Sequence, residues 1–141
     1  MKVKLLNDYA KLPTYATDGA ACFDLYATTT VTIKAGKAET IGTGLAFEVP
    51  RKHVLLLFSR SGHGFNHGLR LGNAVGVVDQ DYRGEVKVRI HNDSATDYTV
   101  GIGERIAQGM VLSLFRHQLE QVVSLDDTAR GTGGFGSTGA T

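Results

Sequence analysis

The chain has 141 residues, about the length of one domain, and its 42% hydrophobic and 21% charged residues exclude a disordered polypeptide. Fifteen Lys and Arg against fourteen Asp and Glu leave a formal charge of +1, which provides no electrostatic footprint for direct nucleic-acid or anionic-membrane binding. The single Cys22 excludes an intramolecular disulfide, and no apolar run approaches the ~18 residues of a membrane span, so a cytoplasmic protein is expected, or a nuclear one in a eukaryotic source.

Met1 to Asn7 carries two lysines, and Asp8 and Tyr9 follow before any signal-peptide apolar region forms. From there apolar residues recur at every second position or in short runs closed by turn formers, which predicts strand after strand. Val3–Leu5, Phe23–Ala27, Val31–Ile33 and Leu45–Val49 are the first, bounded by Asp18-Gly19, Ala35-Gly36 and Pro50. His53–Phe58 is continuously apolar and reads as a strand buried on both faces. The one plausible helix is a turn or two around Ser61–Gly68. Gly84–Ile90 alternates, with Val86, Val88 and Ile90 directed inward. Arg105–Phe115 mixes both periodicities, but Gly109 and the preceding Gly101-Ile102-Gly103 favour a strand. Ten or so short strands predict an all-β sandwich or barrel.

Eighteen glycines, roughly 13% of the chain against an ordinary ~7%, are the compositional outlier. Five of them fall in the ten residues Arg130–Gly139, so the packed body is expected to end near Leu125, with residues 1–127 as the domain and 128–141 as a mobile arm. The arm matches both a dinucleotide and a P-loop glycine pattern. Neither has its context, because no strand precedes it, no helix can follow it, and Ser137 takes the P-loop lysine position. Its backbone N–H groups and Arg130 could still wrap phosphate oxygens, and Phe135 could offer a stacking face.

His63 and His67 have the spacing of a helical zinc pair, but Gly62, Gly64 and Gly68 disfavour a helix and no glutamate supplies a protease base, so surface or loop histidines are expected. Zinc deaminase and GxSxG hydrolase signatures are absent. In Gly72–Glu85 two strands flank a polar, glycine-closed turn, with Asp79 ending an apolar run as either a turn cap or a base. Asp24 lies between Phe23 and Leu25, where a lone carboxylate reads as solvent-facing alternation. Ser59-Arg60-Ser61-Gly62 emerges at a strand end, where hydroxyls, guanidinium and N–H groups could clamp a phosphate.

In order, Ala21–Ala27, Arg60–Gly62, Gly72–Gly84, Gly103–Gln108 and Arg130–Gly139 resemble the five motifs of the trimeric dUTP diphosphatases, over nearly the whole chain. The resemblance implies a distorted β jelly-roll with at most one short helix. It also implies a homotrimer with three interface sites, each closed by the arm of another protomer. The expected reaction is Mg²⁺-dependent hydrolysis of dUTP to dUMP and pyrophosphate, which limits uracil in DNA and supplies dUMP for thymidylate. By position, Asp79 matches the general base, Tyr82 the aromatic under deoxyribose that excludes a 2′-hydroxyl, and Asn73 the uracil reader. Arg60, Ser61 and Gly62 match phosphate contacts, Gln108 lies near the α-phosphate and nucleophilic water, and Asp24 meets through water a Mg²⁺ held mainly by the triphosphate. In the arm, Arg130 and Ser137 match phosphate contacts, Phe135 the ring that stacks on uracil, and Gly136 the substrate-binding stretch between them.

Five positions depart from the pattern. Cys22, Lys52 and Leu55 stand where glycine is common, and His63-Gly64 replace a small apolar pair. Two rival readings are dCTP deamination on the same fold and a non-catalytic binding module; the intact uracil hairpin opposes the first and the retained Asp79, Tyr82 and Arg130 the second.

Overall fold

The computed structural model describes residues Met1–Gly139; the expected arm's positions 140 and 141 lie outside the described residues. Eleven strands and one helix follow in order among the described residues: β1 Lys2–Leu5, β2 Thr14–Tyr15, β3 Phe23–Tyr26, β4 Val31–Ile33, β5 Ala38–Glu48, β6 His53–Phe58, α1 Ser61–His67, β7 Leu69–Leu71, β8 Gly76–Val78, β9 Val86–Asn92, β10 Tyr98–Val100 and β11 Arg105–Ser113. They form an antiparallel four-stranded sheet ordered β1-β5-β9-β7, a five-stranded sheet ordered β2-β3-β11-β6-β8, and a separate β10-β4 pair. The all-β expectation with one short helix holds. No described helix is long and apolar enough to cross a membrane.

The two larger sheets share one core. Phe23, Leu25, Leu55, Leu57 and Ile106 of the five-stranded sheet meet Ile41, Leu45, Phe47, Val88 and Ile90 of the four-stranded sheet, and the Phe23 and Phe47 rings stack with centroids 6.3 Å apart. β9 shows the predicted alternation, Val86, Val88 and Ile90 buried and Lys87 and Arg89 exposed. β11 is a strand, and Gly109 gives a reason: a Cβ there would lie 2.5 Å from Phe23 Cε2 and 3.1 Å from Leu55 Cδ1. Gly109→Ala is therefore expected to cost about 1–3 kcal/mol by overpacking, read as a lower urea midpoint with an unchanged m-value.

Three expectations change in the folded chain. β6 is buried on one face only: Leu55 and Leu57 enter the core, whereas Val54, Leu56 and Phe58 are half-buried on the outer face. β5 begins at Ala38, well before Leu45, because Gly42 and Gly44 carry a bulge in its pairing with β9; Gly44, at φ +64°, donates its N–H to the Glu85 carboxylate at 3.0 Å. The last strand ends at Ser113. From Leu114 to Leu125 the chain has no strand, and Phe115, Leu119, Val123 and Leu125 are exposed.

Lys52 explains one of the departures from the resembled pattern. It turns the chain between β5 and β6 at φ +60°, a left-handed conformation that glycine adopts freely and that costs a lysine ~1 kcal/mol. Its N–H is held by the Gln80 side chain at 3.1 Å. Leu55 is fully buried and fills core space instead of opening the backbone. Cys22 is half-buried beside β3, where burial and the Asp24 charge push its thiol above the usual range and so away from the reactive thiolate.

Candidate active site

The sequence-predicted residues fall into three groups. The first gathers where β3, β6 and β11 run side by side. Gln108 of β11 pairs with Asp24 of β3 on one side and with Phe58 of β6 on the other. That register brings Asp24 beside Arg60, just past the end of β6. Asp24 is buried, contrary to a solvent-facing alternation. The reason is two guanidinium partners: Arg60 Nε donates to one carboxylate oxygen at 3.1 Å and Arg105 Nη1 to the other at 3.3 Å. A carboxylate in that position is affordable only when so matched. Gln108 Nε2 donates to the Ser59 carbonyl at 3.0 Å, and Ser59 Oγ accepts from Leu71 N–H at 2.9 Å, which fixes the strand end. Ser61 lines a cleft with Arg60 and Gln108, and no atom lies within 4 Å of where a Gly62 side chain would begin. The result is an open pocket rimmed by a hydroxyl, an amide and arginines, which suits phosphate oxygens.

Arg105 has no role in the sequence reading, although it lies in the fourth motif. It acts here as the second clasp on Asp24. Its signal is purely three-dimensional: Arg105 pairs with Tyr26 across the β11–β3 bulge, two residues along β3 from Asp24.

The second group is the hairpin from Asn73 to Glu85. Asn73, Asp79 and Tyr82 line one cleft with Gly76, Val77 and Glu85. Ala74, at φ +60°, and a Val75 N–H to Asn73 carbonyl bond of 2.6 Å tighten the turn. Tyr82 donates its hydroxyl to the Glu85 carbonyl at 3.0 Å, and its ring occupies the space that a Gly84 side chain would fill, its Cζ 2.6 Å from that Cβ position. Gly84 is thus what lets the tyrosine lie flat. Asp79 is exposed and accepts Tyr82 N–H at its carbonyl, leaving the carboxylate open to solvent. β8 has a neighbour on one side only, so its outer edge presents free N–H and C=O groups to the same cleft.

The third group is the arm. Arg130, Phe135, Gly136 and Ser137 lie in a succession of tight turns, with Arg130 Nε donating to the Gly133 carbonyl at 2.8 Å and Ser137 N–H to the Gly134 carbonyl at 3.0 Å. Phe135 is fully exposed at φ +50°, and Gly136 has φ +93°. This group meets neither of the others.

The expected surface histidine His63 is instead buried on α1. Its Nε2 lies 3.1 Å from Glu104 Oε1. Tyr98 donates its hydroxyl to the same oxygen at 2.8 Å, and Gly101 N–H bonds the other at 2.9 Å. These bonds hold the Glu104 carboxyl below its usual range despite burial, and desolvation with the Glu104 charge pushes the Tyr98 phenol up to about 12.

Comparison with known proteins gives one consistent result. A model of the dUTPase family matches residues 8–139. The deoxyuridine 5′-triphosphate nucleotidohydrolase of Nautilia profundicola is 44% identical over 139 residues, covering 99% of this chain and 98% of that one. Its counterpart in Desulfitobacterium hafniense is 47% identical over 132 residues, 92% and 87% of the two chains. The dUTPase of Staphylococcus bacteriophage 80alpha, solved with dUpNHpp, shares the fold with a TM-score of 0.91 at 28% identity, over 98% of this chain and 97% of that one.

Proposed function

The chain belongs to the dUTPase family and hydrolyses dUTP, and we propose that it does so with Asp79 as general base, in sites that several copies of the chain build together. One observation carries the proposal. Val78, just before Asp79, pairs with Leu55, and Arg60 lies five residues further along the same strand direction. About six residues at ~3.3 Å each separate the two groups along β6, far beyond what one phosphorus centre can touch. Arg60 and Asp79 of one chain therefore serve different sites, and each site needs a second copy.

The chain also carries the surfaces such an assembly uses. Val54, Leu56 and Phe58 of β6, Val77 of β8, and Met110 and Leu112 of β11 form an outward apolar face, aligned by register, on which Val77 and Leu112 are exposed and the others half-buried. With the exposed apolar stretch from Leu114 to Leu125 it supports an oligomer, which we read as the homotrimer.

In the proposed mechanism Asp79 takes a proton from a water whose oxygen attacks the α-phosphorus, and pyrophosphate leaves with the electron pair of the broken P–O bond, giving dUMP. Arg60, Ser61, the Gly62 N–H, Gln108 and the arm's Arg130 and Ser137 balance the charge that develops on the phosphate oxygens. Uracil fits the free edge of β8 beside Asn73, where its acceptor–donor–acceptor edge finds complementary backbone groups. A cytosine leaves partners unpaired there at about 1–3 kcal/mol each. Phe135 closes over the base, and the flat Tyr82 ring lies where a 2′-hydroxyl has no room.

Among the described residues no three or more His, Cys, Asp or Glu side chains converge on a metal position, and the Asp24 charge is already matched by two arginines. That arrangement fits a magnesium ion carried by the triphosphate and reaching Asp24 through water, since Mg²⁺ parts reluctantly with its water. When bound it neutralises phosphate charge; the chain's own residues orient the substrate and move the proton.

Pyrophosphate release from dUTP, UTP, dCTP and dTTP tests the reading. Turnover of dUTP is expected to exceed the others by at least ~10²-fold in kcat/KM. Equal rates on UTP would remove Tyr82 from sugar selection, and ammonia release from dCTP would establish the deaminase instead.

A further inference from the structure

Helix α1 is poorly equipped to hold itself. It has seven residues, Gly62 and Gly64 among them at ~1 kcal/mol each relative to alanine, and no side chain caps its start. A helix this short does not persist alone in water. Its one buried residue is His63, while Phe65 is 91% exposed.

The partner of His63 is firmly anchored. Besides Tyr98 and Gly101 on its carboxylate, Glu104 accepts Ala27 N–H at its carbonyl at 2.9 Å, and Gly103 donates to the Ala27 carbonyl at 2.8 Å. The other end of the link reaches the phosphate-binding turn, because Gly64 N–H bonds the Arg60 carbonyl at 3.0 Å.

We infer that His63 is a positioning residue for dUTP hydrolysis: its Nε2–H, donated to Glu104, pins α1 to the start of β11 and so holds Arg60, Ser61 and Gly62 in place for the phosphates. The inference rests on the dUTP-hydrolysing reading above and adds a residue that the five motifs do not contain.

The link depends on the neutral imidazole. With Nε2 donating, Nδ1 is buried with no partner, so a proton added there would be an unsatisfied N–H. Glu104 and Tyr98 face the ring from the β10–β11 side, His67 and Arg60 from α1 and its approach, and Tyr26 of β3 and Arg105 of β11 line the same cleft. Burial outweighs the pull of Glu104 and lowers the His63 pKa from its ordinary 6.5. The folded chain thus binds this proton more weakly than the unfolded one. The contribution of His63 is complete above pH 6.5 and declines as pH falls below it, so the α1 link weakens on the acid side.

Steady-state pyrophosphate release between pH 5.5 and 8.5, with amide exchange over residues 60–68, tests this on wild type, His63→Leu and His63→Gln. His63→Leu is expected to lower kcat/KM for dUTP roughly tenfold, through a raised KM and a lowered kcat together, since the turn it holds contacts the phosphates in both ground and transition states, and to speed exchange in α1. His63→Gln can donate from the same place and cannot titrate; it should restore kcat/KM and protection at pH 7.5 and lack the wild-type fall in kcat/KM at low pH. A His63→Leu enzyme with wild-type kcat/KM and α1 protection would overturn the inference. So would identical acid limbs for wild type and His63→Gln, a comparison that stands even if His63→Leu does not fold. Failure of the wild type to release pyrophosphate from dUTP would instead sink the functional reading, while exchange over residues 60–68 would still decide whether His63 orders the turn.

Discussion

Asp79→Asn is expected to lower kcat roughly a thousandfold, within the ~10²–10⁴ that a positioned general base contributes, while KM for dUTP and the melting temperature stay close to wild type. Asparagine keeps the size and planarity of the side chain and serves a turn as well as aspartate does. The Asp79 carbonyl that accepts Tyr82 N–H is untouched, and the exposed carboxylate supports no core contact. What asparagine loses is the ability to accept a proton from water. The substitution therefore separates the two roles that the local sequence permits: a turn cap survives it and a base does not. Single-turnover kinetics with excess enzyme, alongside binding of a non-hydrolysable dUTP analogue, make the measurement. An undiminished rate with intact binding would remove Asp79 from the chemistry.

The residue patterns made much of the β-sandwich legible, because β9 carries its burial in period-2 spacing and Gly109 marks a strand by the space it leaves for Phe23. They failed where a local pattern is overruled by a distant partner. Asp24 resembles an outward alternation position until β11 and the end of β6 deliver Arg105 and Arg60, 81 and 36 residues away. His63 resembles a loop histidine until the turn before β11 brings Glu104 against it, 41 residues on. The front half of β5 is hidden by Gly42 and Gly44, whose bulge depends on the Glu85 side chain of the next hairpin. The apolar side chains after Ser113 are legible as apolar but not as exposed, since the local pattern does not say which apolar residues the core takes in.

The distribution of the three groups leads to the second large effect, complementation between crippled chains. A chain lacking residues 130–141 should lose nearly all turnover, because Arg130, Phe135 and Ser137 go with it, yet melt close to wild type, since the hydrogen bonds of the described part of that segment stay within it or reach only the neighbouring Thr128. Asp79→Asn is disabled at the other component. If a site draws its base from one protomer and its arm from another, mixed oligomers refolded from equal amounts of the two chains contain sites with an intact base and an intact arm. Random assortment makes these roughly a quarter of all sites, so the mixture should recover about that fraction of wild-type kcat from two nearly silent parents. If the arm instead closes over its own chain's Asp79, every site contains one lesion and mixing restores nothing. Recovery of pyrophosphate release on mixing, compared with each parent refolded alone at the same total concentration, distinguishes these cases. Null recovery in oligomers shown to be mixed would refute the shared site, even if both single variants behave as expected.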